Sequence, residues 1–144
     1  MAELKPVVVD TNILFSALLR DDSTFAQLLL GSNRTFAICE SVIVELFEHK
    51  EKVVRLSKLD EEQVVRLYYT LVRHLSICKE DLIEPVHREQ ARGLCADIDP
   101  ADAPHVALTL QLDGLLWTGD GKLKNGLAKK GFAAFFDPKG EFPR

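Results

Sequence analysis

Near its start the chain reads Pro6-Val7-Val8-Val9-Asp10-Thr11-Asn12-Ile13-Leu14, and two different patterns meet inside this stretch. Its first part, 6–9, is a continuous apolar run, which is typical of a parallel strand covered by helices on both faces. Its second part begins a helical pattern, because apolar residues recur at positions 13, 14, 17 and 18. A buried strand that leads directly into a helix is typical of α/β proteins, and Asp10 lies at the junction.

The same alternation of short apolar runs and longer helical patterns continues along the chain. Strands are predicted at 35–39, 75–78 and 115–118, with 132–136 as a last edge strand. In the first half of the chain, helices are predicted at 25–30 with an end at Gly31, along one long segment after Ser41, and from Asp60 to about residue 73. In the second half they are predicted around 87–94 with an end near Gly93, at 106–112 and at 122–130. This order predicts a single domain over 1–144, a three-layer α/β/α sandwich with a mostly parallel central sheet.

The bulk composition limits the kinds of function. A chain of 144 residues, 47% of them hydrophobic, has the size of one domain and can bury about two-thirds of its unfolded surface. The net charge of −4 offers no overall basic field, so any contact with nucleic acid must be local. The start of the chain carries an acidic residue and no long apolar segment, and nothing approaches a membrane span of about 20 apolar residues. We therefore expect a cytoplasmic protein that does not contact a membrane.

The three cysteines are Cys39, Cys78 and Cys95, and all of them have apolar neighbours in the sequence. Their odd number and the lack of a CxxC pair favour reduced thiols over a disulfide framework or a zinc site. We expect all three side chains to pack in the core.

Four carboxylates stand far apart in the chain but near the ends of predicted elements: Asp10, Glu45, Asp102 and Asp120. Parallel α/β sheets bind their ligands outside the carboxyl ends of the strands, which is where Asp10 and Asp120 should lie. Glu45 is on the helix after the neighbouring strand, and its apolar neighbours predict that it faces inward. Carboxylates that converge in this way form a site for a hard divalent cation.

Each acid also has an ordinary structural explanation. Asp10 is a suitable N-cap for the helix that follows, and Glu45 in a first helical turn is favoured by the helix dipole. Asp102 is either the third residue of a helix capped by Asp99 or the cap itself. Asp120, between two glycines, suits a turn. Independent caps do not predict four acids at one edge of a sheet, and that conjunction favours a functional site.

Four stretches together resemble the PIN domain, the fold of many small prokaryotic ribonucleases, including VapC-like toxins of toxin–antitoxin pairs. They are Val7-Val8-Val9-Asp10-Thr11-Asn12-Ile13-Leu14, Ser41-Val42-Ile43-Val44-Glu45-Leu46, Asp102-Ala103-Pro104-His105-Val106-Ala107-Leu108 and Trp117-Thr118-Gly119-Asp120. The first and last stretches are the more specific, and the resemblance covers nearly the whole chain. A proline on each side of Asp102, at 100 and 104, resembles a subset of PIN proteins more than the usual toxin pattern. A toxin and a nuclease of RNA maturation or decay therefore both remain open.

The resemblance implies an endoribonuclease that uses Mg²⁺ or Mn²⁺ to hydrolyse single-stranded RNA, with Asp10, Glu45, Asp102 and Asp120 as catalytic and metal-binding acids. It also implies a homodimer, and, in toxin systems, an antitoxin protein that blocks the acidic groove with a basic side chain. Oxygen ligands suit Mg²⁺ or Mn²⁺ better than zinc, and two such ions about 4 Å apart can position a water for in-line attack on a phosphodiester. The resemblance implies that this hydrolysis leaves 5′-phosphate and 3′-hydroxyl ends.

Several polar residues beside these acids are candidates for supporting roles. The short side chains of Asn12, Ser41 and Thr118 could orient a carboxylate or a phosphate, although Ser41 suits a helix cap equally well. Asp99 is a candidate fifth acid.

Substrate binding requires local positive charge. Lys122 and Lys124 follow Asp120 directly and are the candidates for contact with the RNA backbone. Charges at 50, 52, 55, 88, 92, 129 and 130 suit RNA contact or a solvated helix surface, and His105 suits phosphate contact or a structural role. The alternative function is a non-catalytic PIN-like module that binds RNA or protein. No glycine fingerprint follows the first strand and no GxxxxGK run occurs, which argues against dinucleotide and P-loop sites.

Overall fold

The computed structural model of the protein describes residues 4–19 and 24–141. Its centre is a four-stranded sheet in the order β3-β2-β1-β4, in which every neighbouring pair is parallel. The strands are β1 (Val7–Val9), β2 (Phe36–Cys39), β3 (Leu75–Cys78) and β4 (Leu115–Trp117). All strands therefore end at the same edge of the sheet. The predicted α/β class and parallel sheet are confirmed.

Eight α-helices lie in the described ranges, and they cover the sheet to give the predicted sandwich. They are α1 (Thr11–Leu19), α2 (Thr24–Gly31), α3 (Glu40–Glu48), α4 (Lys50–Leu56), α5 (Glu61–Arg73), α6 (Pro85–Cys95), α7 (Ala103–Leu112) and α8 (Gly121–Lys129). Helix α1 packs on α2, α3, α4 and α5, whereas α7 packs on α6 and lies against β1, β2 and β4. The apolar helix α7 is therefore covered by both a sheet and a helix.

The core has β1 and β2 at its centre, because every residue of these two strands is buried. Their continuous apolar runs fit this position, since a central parallel strand meets helices on both faces. Three aromatic rings, those of Phe36, Trp117 and Phe136, pack against one another with centroids 5.1 to 6.2 Å apart. Such tilted and edge-on contacts each add about 1 kcal/mol beyond the area they bury.

The amino end of the sheet is closed by tight backbone contacts. The backbone N–H of Leu115 donates to the carbonyl oxygen of Pro6 at 2.9 Å, and a Cβ on Gly114 would lie 2.5 Å from that same oxygen. Before this glycine, Asp113 ends α7 with a left-handed φ of 49°. Only glycine at position 114 permits this close approach of two chain segments.

Two helix predictions are corrected. The single long helix predicted after Ser41 is two helices, α3 and α4, separated at His49, whose ring packs edge-on against Phe15 of α1. Ser41 is not a cap, because Cys39, the last residue of β2, holds the N-cap position and places Ser41 in the first turn. The helix predicted to end near Gly93 continues to Cys95, since this glycine lies on an open helix surface where it is tolerated.

The edge strand predicted at 132–136 is also wrong. The segment forms one isolated bridge, in which Leu116 accepts a hydrogen bond from Phe136 and donates one to Ala134. The backbone N–H of Phe135 bonds to the carbonyl of Ala133, two residues earlier, at 3.0 Å. Such a short turn bends the chain and prevents a continuous ladder.

Other predictions from composition have mixed outcomes. The three cysteines are free thiols, with Cys39 and Cys95 buried as predicted and Cys78 only half-buried. Within residues 4–19 and 24–141, no helix has the length and apolar character needed to cross a membrane. The expectation that the start of the chain carries no long apolar segment includes residues 1–3, and these three lie outside the described residues.

Candidate active site at the carboxyl end of the sheet

The carboxyl ends of the four strands meet a group of acids that we call the acidic rim. Three of its acids follow strands: Asp10 after β1, Glu80 after β3 and Asp120 after β4. The others are Glu45 on α3, Asp102 at the end of the 3-10 helix Pro100–Asp102, and Asp99, which caps that helix. Because all strands are parallel, the sheet edge brings these distant positions together. No ion pair between described residues uses a rim carboxylate.

Asp10 is buried at the junction of β1 and α1. Its backbone N–H donates to the carbonyl of Trp117 at 3.2 Å, which ties it to the end of β4. Its Oδ1 accepts a hydrogen bond from the backbone N–H of Ile13 at 3.0 Å, as a cap does. The capping explanation therefore accounts for one carboxylate oxygen, and no described group donates a hydrogen bond to the other.

Asp120 has the same arrangement at the start of α8. Its Oδ1 accepts hydrogen bonds from the backbone N–H groups of Lys122 and Leu123, at 3.0 and 3.1 Å. Its own backbone N–H donates to Oγ1 of the buried Thr118 at 3.2 Å. Thr118 thus holds the backbone of Asp120 in place, while the second carboxylate oxygen stays available on an exposed side chain.

Asp102 differs from these two acids because its side chain caps nothing. It occupies the N-cap position of α7 without a side-chain hydrogen bond, and it is half-buried. Burial, and after it the negative charges of Asp99, Asp10, Asp120 and Glu45, together raise the pKa of its carboxyl from 3.8 to about 6. The other three acids predicted for the site, together with Asp99, therefore act on Asp102 at the rim.

Glu45 does not face inward. It is exposed on α3, whose buried residues are Val42 and Leu46. Its negative charge nevertheless acts on Asp102, His105 and Cys39, so it faces the rim rather than open solvent far from it. Helix periodicity explains the correction, since 42 and 46 share one face and 45 lies beside it.

Sequence reasoning missed Glu80 as a member of the rim. Its Oε1 accepts a weak hydrogen bond from the backbone N–H of Ser41 at 3.4 Å, and its own N–H donates to Oε1 of Glu40. Its charge opposes the lowered pKa of His105 and raises the pKa of Cys39. The signal was present in the sequence, because an acid two residues after a predicted strand fits the same rule that identified Asp120.

Two buried polar atoms beneath the rim have no hydrogen-bond partner among the described residues. They are Oγ1 of Thr11, next to Asp10, and Nδ1 of His105. Burial lowers the pKa of His105, against the opposing charges of Asp10, Glu45 and Glu80, so the ring is favoured in its neutral form. Buried polar atoms without partners are uncommon and mark places where a further group would satisfy them.

The other polar and basic residues predicted for the site differ in how close they lie to the acidic rim. Asn12 is exposed and lines a groove between α1 and α4 with His49 and Lys52, and it bonds to no rim carboxylate. Lys122 is exposed and Lys124 half-buried on α8, both on the helix that Asp120 caps. Lys130, in contrast, is committed to the carbonyl of Leu94 and to Asp97.

The donor chemistry of the rim fits a hard divalent cation. The rim offers carboxylate oxygens that repel one another, and none of them pairs with a lysine or arginine of the described residues. A bound cation relieves repulsion of this kind. Over the described ranges, no three His, Cys, Asp or Glu side chains already stand close enough to hold a metal ion. A metal would therefore have to draw the carboxylates inward.

Comparison with known proteins extends these observations. A family model described as "PIN domain" matches residues 8–134. A comparison with curated proteins finds no match. The fold is similar to a chain in the crystal structure of VapBC2 from Rickettsia felis bound to a DNA fragment from their promoter. The two chains are 22% identical, the match covers 83% of this chain and 91% of that chain, and the TM-score is 0.63.

Proposed function

The chain belongs to the PIN domain family, and from that premise we propose that it is a metal-dependent endoribonuclease of single-stranded RNA. The observation that carries the proposal is the convergence of charge on Asp102, whose pKa is raised by burial and then by four other acids. Asp60, a capping acid elsewhere in the chain, completes a capping box with Gln63, whereas the side chain of Asp102 caps nothing. Carboxylates gathered without cationic partners are typical of a metal-dependent phosphodiesterase site.

The ligands proposed for Mg²⁺ or Mn²⁺ are Asp10, Glu45, Asp102 and Asp120. When bound, the ion would supply positive charge that favours water attack on the phosphodiester and stabilises the leaving oxygen, giving 5′-phosphate and 3′-hydroxyl ends. Asp99 and Glu80 add negative charge at the margin of this set. The proposed set consists of oxygen donors, which suits these ions better than zinc.

The chain holds its acids in fixed directions. One oxygen of Asp10 and one oxygen of Asp120 are each held by backbone N–H groups, so the free oxygen of each carboxylate has a defined position. Thr118 fixes the backbone of Asp120 through its hydroxyl, which supports its predicted orienting role. Such supporting contacts are what a site needs to hold its ligands ready. Ser41 contributes only a backbone contact with Glu80, so its side chain has no equivalent support.

We also propose that this nuclease acts with a protein partner of the antitoxin type and forms a homodimer. The protein partner is suggested by the similarity of the fold to a chain of the VapBC2 structure. A groove of ≈ 330 Å³ between α1 and α4, lined by Phe15, Leu19 and Leu56, supplies an apolar surface for such a partner. Light scattering of the purified protein tests the homodimer.

The second candidate function is an RNA-binding PIN-like module that does not cut. It is favoured by the lack of a ready three-residue metal group in the part of the chain that the structure describes. Titration calorimetry with Mn²⁺ separates the two, because a nuclease site must bind the ion whereas a binding module need not.

The experiment that tests the proposal is cleavage of a mixed panel of single-stranded RNAs with Mg²⁺, Mn²⁺ or EDTA. Asp10→Asn removes one charged ligand, and its retained side-chain oxygen can still accept from Ile13, so the fold should be preserved. We expect cutting that requires the metal and disappears in the variant. Cutting that persists in EDTA or in Asp10→Asn would contradict the proposal.

A further inference from the structure

A second feature lies beside the acidic rim, in a pocket of ≈ 380 Å³ between α6, α7 and the 3-10 helix Pro100–Asp102. Glu80 of the rim lines the pocket, and so do Pro100 and Ala103, two residues and one residue from Asp102. We call this pocket the arginine groove, because Arg88 and Arg92 of α6 line it as well. It opens next to the site without using any of the four proposed metal ligands.

The groove exists because small and rigid residues line its α7 side. Ala103 and Ala107 are four residues apart and therefore share one face of α7, where their short side chains leave open space. Ile83, which is buried, closes the apolar part of the pocket. Pro100 and Pro104 present flat apolar rings. An apolar surface of this kind can pack against a ribose or the face of a nucleobase.

The two arginines give the groove its charge. Arg88 and Arg92 are four residues apart on α6, so their side chains lie on one face, and both are exposed. Neither guanidinium forms an ion pair or a hydrogen bond with any described residue. By contrast, Arg66 pairs with Glu62, and Lys130 is held by Leu94 and Asp97.

Two unpaired guanidinium groups in an acidic protein fit an anionic ligand. Each presents several donors in a fixed plane that matches the oxygens of a phosphate. Glu80 also lines the groove, and its negative charge would repel a phosphate that Arg88 and Arg92 attract. The charges therefore give the groove a direction, with its anion site on the α6 side and its acidic side at the rim.

We propose that the arginine groove binds one nucleotide of the RNA strand adjacent to the bond that is cut. Its phosphate lies against Arg88 and Arg92, and its sugar or base packs on Pro100 and Pro104. This inference rests on the proposed nuclease function. It adds an RNA-binding site near Asp102 and α6, separate from the RNA contacts predicted for Lys122 and Lys124, which follow Asp120. Specificity for a base in this groove would come from packing against its face.

The test measures RNA binding separately from cleavage. A fluorescein-labelled, mixed-sequence single-stranded RNA is titrated with protein in Mg²⁺, in the Asp10→Asn background so that the RNA stays intact. We expect Arg88→Ala/Arg92→Ala to weaken binding roughly tenfold and to make the dependence of log K on log salt shallower by about 1. Arg88→Lys/Arg92→Lys keeps the charge and should recover only part of the affinity, because the planar fork is lost.

The matched control is Lys58→Ala/Arg73→Ala, just before α5 and at its end, which removes two exposed positive charges from another surface. Equal weakening in the control and the groove variant would overturn the groove, because net charge alone would then explain the loss. Unchanged binding in the groove variant, or no RNA binding at all, would also overturn the groove. The groove would be overturned as well if polyglutamate displaced the RNA as strongly as unlabelled RNA does, because that result would indicate an acidic protein ligand. Groove-dependent binding by a protein that never cuts would instead overturn only the nuclease proposal.

Discussion

At its amino end the central sheet is closed by backbone atoms in contact, whereas at its carboxyl end it meets carboxylates that repel one another. At the first end, the backbone N–H of Leu115 donates to the carbonyl oxygen of Pro6, in the space that only a glycine at position 114 leaves. At the second end, Asp102 has a raised pKa, and polar atoms of Thr11 and His105 have no partner in the described structure. Packing at one end stabilises the fold, and the other end holds charge that a ligand can relieve.

This contrast teaches how to separate structural acids from functional ones. Asp60 and Asp120 both cap helices through Oδ1, and Asp60 completes a capping box with Gln63 on an exposed surface. Asp120 caps α8 at the rim, where its charge also raises the pKa of Asp102. Capping and the proposed metal binding are therefore compatible in one carboxylate, because each would use a different oxygen.

The largest expected effect is on activity at the carboxyl end. Asp120→Asn keeps an oxygen to accept from Lys122 and Leu123, so stability should change by less than about 0.5 kcal/mol. Loss of the charged oxygen should lower RNA cleavage on the order of 100-fold. Urea unfolding and a cleavage assay measure the two quantities. Asp60→Asn is the matched control, and an equal loss of cleavage in that variant would break the contrast.

At the amino end the expected effect is on stability alone. Gly114→Ala places a Cβ 2.5 Å from the carbonyl oxygen of Pro6, a backbone atom that cannot move without shifting β1. We expect a loss of about 2 kcal/mol or more in the free energy of unfolding, measured in urea. Binding of Mn²⁺ to the folded variant should be unchanged. A variant of wild-type stability would show that this end is not tightly closed.

A smaller effect is expected at the exposed capping box. Asp60→Ala leaves the backbone N–H of Gln63 without its partner at the start of α5 and should lower stability by about 1 kcal/mol. Cleavage should be unaffected, because the box lies outside the rim. Thermal unfolding beside the cleavage assay checks both statements, and reduced cleavage at full folding would place α5 in the site.

The last expected effect is a dependence of stability on pH. The folded pKa of Asp102, about 6, lies above its ordinary value of 3.8, so the folded state holds the proton more tightly. In EDTA the contribution of Asp102 to the free energy of unfolding should therefore fall as pH rises from about 4 to about 6, and stay level above that. Urea unfolding of wild type and Asp102→Asn at several pH values isolates this contribution. A contribution that rises with pH would contradict the raised pKa.

The sequence predicted the parallel sheet because local apolar patterns determine its strands, and one topological rule is the basis for expecting the acids at its carboxyl edge. Apolar runs identify buried strands, and parallel strands end at one edge, which places Asp10 and Asp120 together. The direction of Glu45 was not predictable in the same way. Its apolar neighbours suggested burial, whereas the face that α3 turns toward the core is set by its packing.

Other features depend on tertiary contacts that no local pattern contains. The break at His49 has no proline or glycine to mark it, and the apolar pattern continues across it. The apolar run 132–136 has the composition of a strand, yet the short turn at Ala133 and Phe135 limits it to one bridge. The unpaired atoms of Thr11 and His105, and the freedom of Arg88 and Arg92, appear only once the neighbours of each side chain are known.

The central claim is that the acidic rim stores repulsion that a divalent cation relieves. The most direct measurement is thermal unfolding at pH 7 in EDTA and in excess Mn²⁺, for wild type and for Asp102→Asn. We predict that Mn²⁺ raises the Tm of wild type, that Asp102→Asn raises the Tm in EDTA, and that the variant loses most of the response to Mn²⁺. An identical Tm for wild type with and without Mn²⁺, together with no gain from Asp102→Asn in EDTA, would contradict the account.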